Sequence, residues 1–324
     1  MSARVLRWIV GLALAAAAAE VLGDTVYVTL EKANAVAILD SVSDKLTRTV
    51  AVGKRPRGIA LSSDGRRLYL ATSDDNAIEV YDTGSLTKVD SLAVDHDPKT
   101  FALDPAGKYL YVSNDRDDQL TVLDLAQRSI VKRIGIGHEA EGVSVSPDGR
   151  WVISTSEADG TASWINAAKL ELVDITAVGA RPRSSRFTDD GKQLWVSCHD
   201  AGTVVILDTA SARMVKRISF APPGVAADQV KPVGIRIDKD RRYAYVALGR
   251  ANRVAVVDAQ KLEPIDYLPV GQRAWNIEFS ADQTRLFSAN GLSDDISIID
   301  LQQRSVLQTV PVGKSPWGLA VSAK

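Results

Sequence analysis

The stretch GIALSSDGRRLYLATSDDNAIEVYDTGSLTKVDSLAV, residues 58–94, decides the fold of this chain. It holds four short runs rich in Val, Ile, Leu and Tyr, at 58–62, 67–72, 77–81 and 87–93. Polar and apolar residues partly alternate within the runs, and Asp, Asn and Gly separate them, which is typical of β-strands joined by tight turns. The stretch therefore predicts four consecutive strands.

The same unit recurs along the chain. The third run ends in an acidic or amide residue, and five of the six steps between these residues are 42 long while one is 50: Asp40, Asp82, Asp124, Asn166, Asp208, Asp258 and Asp300. Asp-Gly pairs at 64–65, 148–149 and 190–191 supply matching turns. Four strands in about 42 residues predict an all-β, seven-bladed β-propeller of four-stranded antiparallel blades. The alternative, an open β-solenoid, has shorter repeats with fewer strands.

The ends of the repeat array predict how the ring closes. Residues 25–29 match the second strand of a unit, and residues 318–322 match a lone first strand. Since an edge strand with unpaired backbone groups is costly, we expect the C-terminal strand to pair with the three N-terminal strands. Residues 24–324 would then form one domain.

The N-terminus predicts an export signal. Arg4 and Arg7 precede an apolar stretch at 8–19 and then small residues, so we expect a signal peptide over 1–23. The apolar stretch is shorter than the roughly 20 residues that span a bilayer, which predicts no membrane anchor after cleavage. Because the arginines are not paired, we expect the general export route and a periplasmic, monomeric protein.

Composition and missing motifs exclude several kinds of chemistry. Lys and Arg number 39 against 40 Asp and Glu, so nucleic acid is an unexpected partner, because phosphate contacts require a basic track. Cys198 is the only cysteine, which excludes an internal disulfide. The chain has no Gly-x-Ser-x-Gly, His-Glu-x-x-His or Cys-x-x-Cys-His motif. We therefore expect no cofactor.

Several stretches resemble known propellers. Gly53-x-x-Pro56-x-Gly58 and the run at 110–114, LYVSN, resemble the YVTN-type repeat. More narrowly, 231–235, 245–249 and 316–321 resemble periplasmic propellers found beside oxidation systems that depend on pyrroloquinoline quinone (PQQ). The resemblance covers the mature chain. It implies a periplasmic setting with a quinoprotein dehydrogenase, a cytochrome c or a transporter component as partner, and it brings no catalytic residues.

Loops on one face of the expected ring gather charged and aromatic residues. In a propeller, the loops that lead into the first strands share a face with those that join the second and third strands, and such loops often carry function. Cations on one side of this face would oppose acids on the other side, namely Asp97, Glu139 and Glu141. Arginine suits carboxylates and phosphates, and tryptophan can stack on a planar ligand or simply fill the channel mouth. The predicted ligand site comprises Arg55, Arg57, Arg181, Arg183, Lys231, Arg273, Trp275, Trp317, His138 and His199.

All three histidines fall on the same face. With neighbouring acids they form a weaker alternative, a zinc or copper site, because imidazole and carboxylate suit both metals. Its ligands would be His96, Asp97, His138, Glu139 and His199. Our main expectation is that the chain has no metal site.

Three functions remain open from the sequence. The main expectation is a non-catalytic periplasmic binding or scaffold protein, accessory to PQQ-dependent alcohol oxidation, whose loop face holds a small anionic ligand or a protein partner. The first alternative is a lactonase-like hydrolase with His138 or Glu139 as base, since other seven-bladed propellers open sugar lactones with His, Glu and Arg groups. The second alternative is single-stranded DNA binding, which near-neutral charge disfavours. An insertion within 220–230 interrupts the repeat and predicts an ordered flap or docking loop.

Overall fold

A computed structural model describes residues 23–323 of the chain. The predicted signal peptide, apart from Gly23, lies outside the described residues. Among the residues described, no helix has the length and apolar character needed to cross a membrane.

The strands of residues 23–323 form seven four-stranded antiparallel sheets, which are the blades of a propeller. The first half of the chain contains β1 (Thr25–Leu30), β2 (Ala35–Asp40), β3 (Lys45–Ala51), β4 (Pro56–Leu61), β5 (Arg67–Thr72), β6 (Ala77–Asp82), β7 (Lys88–Ala93), β8 (Pro98–Leu103), β9 (Tyr109–Asn114), β10 (Gln119–Asp124), β11 (Ser129–Gly135), β12 (Ala140–Val145), β13 (Trp151–Ser156), β14 (Thr161–Asn166) and β15 (Glu171–Ala177).

The second half continues the series. It contains β16 (Pro182–Phe187), β17 (Gln193–Cys198), β18 (Thr203–Asp208), β19 (Met214–Ser219), β20 (Ile235–Ile237), β21 (Tyr243–Ala247), β22 (Arg253–Asp258), β23 (Glu263–Pro269), β24 (Ala274–Phe279), β25 (Arg285–Asn290), β26 (Asp295–Asp300), β27 (Ser305–Pro311) and β28 (Pro316–Ser322). Short 3₁₀ helices lie at Ser73–Asp75, Asp115–Asp117 and Ala227–Gln229.

We number the blades in chain order and letter their strands A to D from the channel outward. Blade 1 is β4–β7, and each following group of four strands is the next blade up to blade 6, which is β24–β27. Blade 7 has the order β28-β1-β2-β3, with Tyr27 of β1 opposite Ala320 of β28. The seven-bladed fold and its closure by the C-terminal strand are thus confirmed.

Apolar side chains fill the spaces between blades. Between blades 6 and 7, for example, Phe287 and Ile298 pack with Val26 and Leu319 in one buried cluster. Trp164 is fully buried and meets Trp151 edge to face, with ring centroids 5.8 Å apart. Stacked blades therefore form a rigid support for the loops at either end of the channel.

A repeated backbone clasp positions the loops that lead into the A strands. The residue immediately before the A strand has a left-handed φ in six blades. These residues are Arg55, Asp97, Glu139, Arg181, Arg273 and Ser315. In five of these six blades its N–H donates to an Asn or Asp side chain of the preceding blade; the Arg55 N–H, for instance, lies 2.9 Å from Asn34 Oδ1. These loops and the B–C loops therefore share one face, called here the upper face.

The insertion between blades 4 and 5 is anchored at both ends. Phe220 and Val230 are buried in the apolar cluster that joins these two blades. The N–H of Ala221 donates to Tyr267 Oη at 3.0 Å. The segment lies on the upper face, and its role as a docking loop stays a prediction.

Candidate functional site

Carboxylates from the B–C loops neutralise the cations of the upper face. Arg57 Nη2 lies 2.8 Å from Glu31 Oε1, and Arg55 Nε lies 3.4 Å from the same oxygen. Lys231 Nζ lies 3.1 Å from Asp200 Oδ1. The expected division of this face into a cationic and an acidic side is therefore not seen around blades 1, 4 and 5, where the cations have acids of their own; Arg273 of blade 6 lies over Trp275 instead.

The most buried of these B–C-loop carboxylates lies between blades 3 and 4, in a group of ion pairs. We call this group the Glu157 cluster, and it consists of Glu141, Glu157, Arg181 and Arg183. Arg181 Nε donates to Glu157 Oε2 at 2.7 Å, and Arg183 Nε lies 3.0 Å from Glu157 Oε1. Arg183 Nη1 also lies 3.5 Å from Glu141 Oε1. The Glu157 side chain is only 3% exposed, so two carboxyl groups share one guanidinium in a nearly dry setting.

These surroundings shift the pKa of Glu157 toward neutral pH. Burial, and next the negative charge of Glu141, raise the pKa of Glu157 to about 7, although Arg183 and Arg181 oppose the rise. A carboxyl group with a pKa near the working pH can both accept and return a proton. Glu157 is therefore the strongest acid–base candidate on the upper face.

A pocket of about 350 Å³ adjoins the cluster, and we call it the upper pocket. It is lined by Glu139, Glu157, Ala158, Ala180, Arg181 and Asp200. Three carboxyl groups and one guanidinium give it an acidic balance, so it suits a neutral ligand rich in hydroxyl donors better than an anion. The expected small anionic ligand does not match this pocket.

The three histidines do not lie together in one site. His96 Nδ1 lies 3.1 Å from Asp117 Oδ1, His138 Nδ1 lies 2.7 Å from Asp118 Oδ2, and His199 Nδ1 lies 2.8 Å from Asp200 Oδ1. Within residues 23–323 no group of three or more His, Cys, Asp or Glu side chains is placed to hold a metal ion. The weaker metal alternative, with ligands His96, Asp97, His138, Glu139 and His199, is therefore wrong.

The histidines also differ in their protonation. Burial and the nearby Arg183 lower the pKa of His199 to about 4, so its ring is neutral at pH 7. The hydrogen bond to Asp118 raises the pKa of His138, whose side chain is 74% exposed. Of the two bases suggested by the sequence, Glu139 lines the upper pocket and His138 does not.

Trp275 and Trp317 close the upper end of the channel. The Trp317 ring is buried beneath Arg57, whose Cζ lies 5.9 Å from the ring centroid. Arg183 Cζ and Arg273 Cζ lie 5.4 Å and 4.4 Å from the Trp275 ring. A Cβ on Gly291 would lie 2.5 Å from that ring, so glycine is required there. Both tryptophans thus act as packed filler under arginines.

The channel below holds a further charged group that the sequence analysis missed. A cavity of about 670 Å³ runs along the A strands. In it Arg236 forms a two-pronged ion pair with Glu278, with Nε–Oε1 at 2.8 Å and Nη2–Oε2 at 2.5 Å. Arg186 lines the same cavity, and its side chain makes no hydrogen bond or ion pair with any other residue of 23–323.

The missed residues were visible in the repeat. A step of 42 residues places 31, 73, 115, 157 and 199 in one column, the first position of the B–C loop. Glu31 and Glu157 would have been found by following this column as closely as the loop before strand A. Arg186, Arg236 and Glu278 occupy one column within strand A itself, which the search for loop residues passed over.

Comparison with known proteins relates the chain to other propellers. A family model described as the Cytochrome D1 heme domain matches residues 72–186, well under half of the chain. No curated protein sequence matches.

Three solved structures illustrate the likeness in fold. The periplasmic gluconolactonase PpgL of Pseudomonas aeruginosa is 20% identical, with 93% of this chain and 99% of that chain covered and a TM-score of 0.78. A Bacteroides uniformis protein provisionally described as a 6-phosphogluconolactonase is 14% identical, with 93% and 100% covered and a TM-score of 0.77. Dihydro-heme d1 dehydrogenase NirN is 18% identical, with 91% and 74% covered and a TM-score of 0.69.

These relatives correct our main expectation. The solved propellers that share the fold include enzymes, two of them described as lactonases, and the upper face holds an acid–base group beside arginines. The prediction of a non-catalytic scaffold, accessory to PQQ-dependent oxidation, is therefore wrong. The lactonase-like alternative agrees better with both observations.

The residues present do not fit haem d1, the group that the family model implies. A tetrapyrrole requires a wide apolar slot and an axial ligand. The apolar lining of the upper pocket is limited to Ala158 and Ala180, and Trp317 is buried beneath Arg57. The matched segment contributes His96 and His138, which are both exposed and held by different aspartates. The described residues of the upper face thus form no slot that fits a haem.

Proposed function

We propose that this chain is a lactone hydrolase that opens a neutral, polyhydroxylated lactone in the upper pocket, with Glu157 as general base. The main observation that supports this proposal is the position of Glu157, a nearly buried carboxyl group that lines the pocket between two arginines. Its pKa near 7 supports the role, because a base of that strength is half ionised at neutral pH.

The residues of the upper pocket suit each step of the hydrolysis. Ionised Glu157 takes a proton from a water molecule, whose oxygen attacks the carbonyl carbon of the lactone. Arg181 donates to the carbonyl oxygen as negative charge develops there. The bond between the acyl carbon and the ring oxygen then breaks, and the ring oxygen takes the proton from Glu157. The product is a hydroxy acid, and Glu157 is ionised again.

The charge of the pocket limits the substrate. Glu139 and Asp200 can accept hydrogen bonds from substrate hydroxyl groups, whereas a phosphate group would meet like charge. We therefore expect an unphosphorylated sugar lactone to be a better substrate than its phosphorylated counterpart.

A lactone panel tests the proposal. Proton release from glucono-δ-lactone, 6-phosphogluconolactone and an unsubstituted lactone would be followed by pH-stat, with the uncatalysed rate subtracted. We expect turnover of the neutral sugar lactone and weaker turnover of the phosphorylated one. Absence of catalysis across the panel, at pH 6 to 9, would refute the function.

We also propose that the chain is a YVTN-type propeller, related to the PQQ-associated periplasmic group, and that it is exported. The repeat motifs and the signal-like N-terminus support this assignment. Mass spectrometry of the mature protein from a periplasmic extract should show a new N-terminus near residue 24. Full-length protein retained in the cytoplasm would contradict export.

A further inference from the structure

The channel contains a ring of seven A-strand residues at one depth. Each faces the third residue of its neighbouring B strand: Ala60, Ala102, Ser144, Arg186, Arg236, Glu278 and Ala320. Four of the seven are alanine or serine, and the three ionisable residues are contiguous, on blades 4, 5 and 6. One side of the channel therefore carries its charge.

The charges of this ring do not balance. Both oxygens of Glu278 are taken by Arg236, at 2.8 Å and 2.5 Å. Arg186 forms no ion pair in the described part of the chain, although Glu278 and Asp189 act on it at longer range, and its side chain is exposed to the open space of the cavity. Although the side chain faces open space, the surrounding channel walls desolvate it, and this desolvation and the positive charge of Arg236 lower the pKa of Arg186 despite Glu278 and Asp189.

The cavity opens at the lower face, away from the upper pocket. Loop residues of that face, including Pro147, Asp189 and Gln283, line its mouth. At its other end the cavity reaches Trp317 and two members of the Glu157 cluster, Glu141 and Arg183. A small molecule that enters from the lower face therefore meets Arg186 before it reaches the Glu157 cluster.

Polar groups near Arg186 complete a possible binding surface. Ser144 Oγ and Ser185 Oγ lie 2.7 Å apart on the same wall, and Asn276 lines the cavity from blade 6. A free guanidinium donates two parallel hydrogen bonds to a carboxylate or phosphate group, and hydroxyl and amide groups can bind the remainder of a polar ligand.

We propose that the lower channel binds a small organic anion, which carries a carboxylate or a phosphate group, through the guanidinium of Arg186. The bound charge would offset the repulsion between Arg186 and Arg236. This site differs from the upper pocket in location, charge and chemistry, and it does not depend on the proposed hydrolysis.

Binding of two probes tests the site and separates its possible ligands. Gluconate and inorganic phosphate would be titrated into the full-length mature protein by calorimetry at constant low ionic strength. We expect saturable binding of one of them, and the preferred probe identifies carboxylate or phosphate as the recognised group. No saturable binding of either probe to the wild type would overturn the proposal.

Three variants make the assignment specific. Arg186→Gln should weaken binding by about tenfold to a hundredfold, the range expected for loss of charge-assisted hydrogen bonds. Arg242→Gln, the matched control, removes an exposed charge of the lower face outside the cavity lining and should bind as the wild type does. Glu278→Gln should tighten binding, because it frees Arg236.

The same variants keep the two sites distinguishable. Arg186→Gln should leave lactone turnover unchanged, since Arg186 lies outside the upper pocket. Equal binding by wild type and Arg186→Gln would overturn the channel site whatever the result with lactones. Melting curves of each variant would show that a lost signal does not come from unfolding.

Discussion

Two triads of the upper face have the same design and differ in one neighbour. The Glu31 triad consists of Glu31, Arg55 and Arg57, and the Glu157 triad consists of Glu157, Arg181 and Arg183. Each residue of the second triad lies three repeats of 42 residues after its counterpart in the first. In both triads two arginines of one blade bind a glutamate from the B–C loop of the preceding blade.

The neighbour is the second A-strand residue of the preceding blade. It is Trp317 beside the Glu31 triad and Glu141 beside the Glu157 triad. The Glu31 side chain is 17% exposed and that of Glu157 is 3% exposed. A second acid and deeper burial therefore convert an ordinary ion pair into a group that exchanges its proton near neutral pH. The residue at this one position of the repeat, Trp317 or Glu141, thus determines whether the neighbouring glutamate has only a structural role or can also exchange a proton.

The largest expected effect separates the triads by activity. Glu157→Gln should lower kcat for lactone hydrolysis by about a hundredfold or more, because a general base is lost. Glu31→Gln, the matched control in the other triad, should retain near wild-type kcat. Steady-state rates on the neutral sugar lactone measure both. Equal losses in the two variants would mean that the triads do not differ in role.

Opening the ring should affect both triads together. A chain that ends after Ser315 loses β28, including the N–H of Gly318 that donates to Thr29 Oγ1 at 2.8 Å. Removal of buried side chains such as Trp317 should lower the melting temperature by about 10 °C or more. Thermal unfolding followed by circular dichroism tests this. A truncated protein with unchanged melting would show that closure contributes little.

The pH dependence of kcat/KM should show the effect of Glu141, the second acid beside Arg183. Since Glu157 must be ionised and its pKa is about 7, kcat/KM should fall as the pH drops through 7. Glu141→Gln removes a negative charge that raises this pKa, so the acid limb should move to lower pH. A pH–rate profile of each protein measures the midpoint. A limb that stays in place, or moves upward, would remove Glu141 from the explanation.

The smallest effect should come from placing an acid beside the Glu31 triad, as Glu141 lies beside the Glu157 triad. Trp317→Glu places an acid where blade 3 has Glu141, so two carboxylates would repel each other beside Arg57. This variant should melt at a slightly lower temperature than Trp317→Gln at pH 8, and the difference should shrink at pH 4, where carboxyl groups are protonated. Thermal unfolding at the two pH values measures the effect, and the glutamine variant controls for the lost ring. Equal melting of the two variants at both pH values would contradict the proposed influence of this neighbour.

The fold could be predicted because its determinants are local and repeated. Turn residues and strand runs recur in register, so one unit such as residues 58–94 specifies seven copies, and the incomplete ends specify closure. The left-handed φ before six of the seven A strands follows the same register, although Arg55 and Glu139 give no sign of it as residue types.

The candidate site could be predicted only in part. Its face and its arginines follow from the topology, but the partner of each arginine lies in a neighbouring blade. Whether Arg183 is free or shared by Glu141 and Glu157 depends on the tilt of side chains across the blade interface. The proton affinity of Glu157 depends further on burial, which no residue spacing reveals. Those quantities require coordinates.

The pairing of β28 with β1 also constrains how the protein folds. The partners of this pairing, such as Val26 and Val321, are separated by nearly the whole domain sequence, so blade 7 is the last to be completed during synthesis. Until then the edge of β1 is open to association with another chain. An unfinished ring is therefore vulnerable to aggregation, and holding the chain unfolded until its last strand is made would protect it.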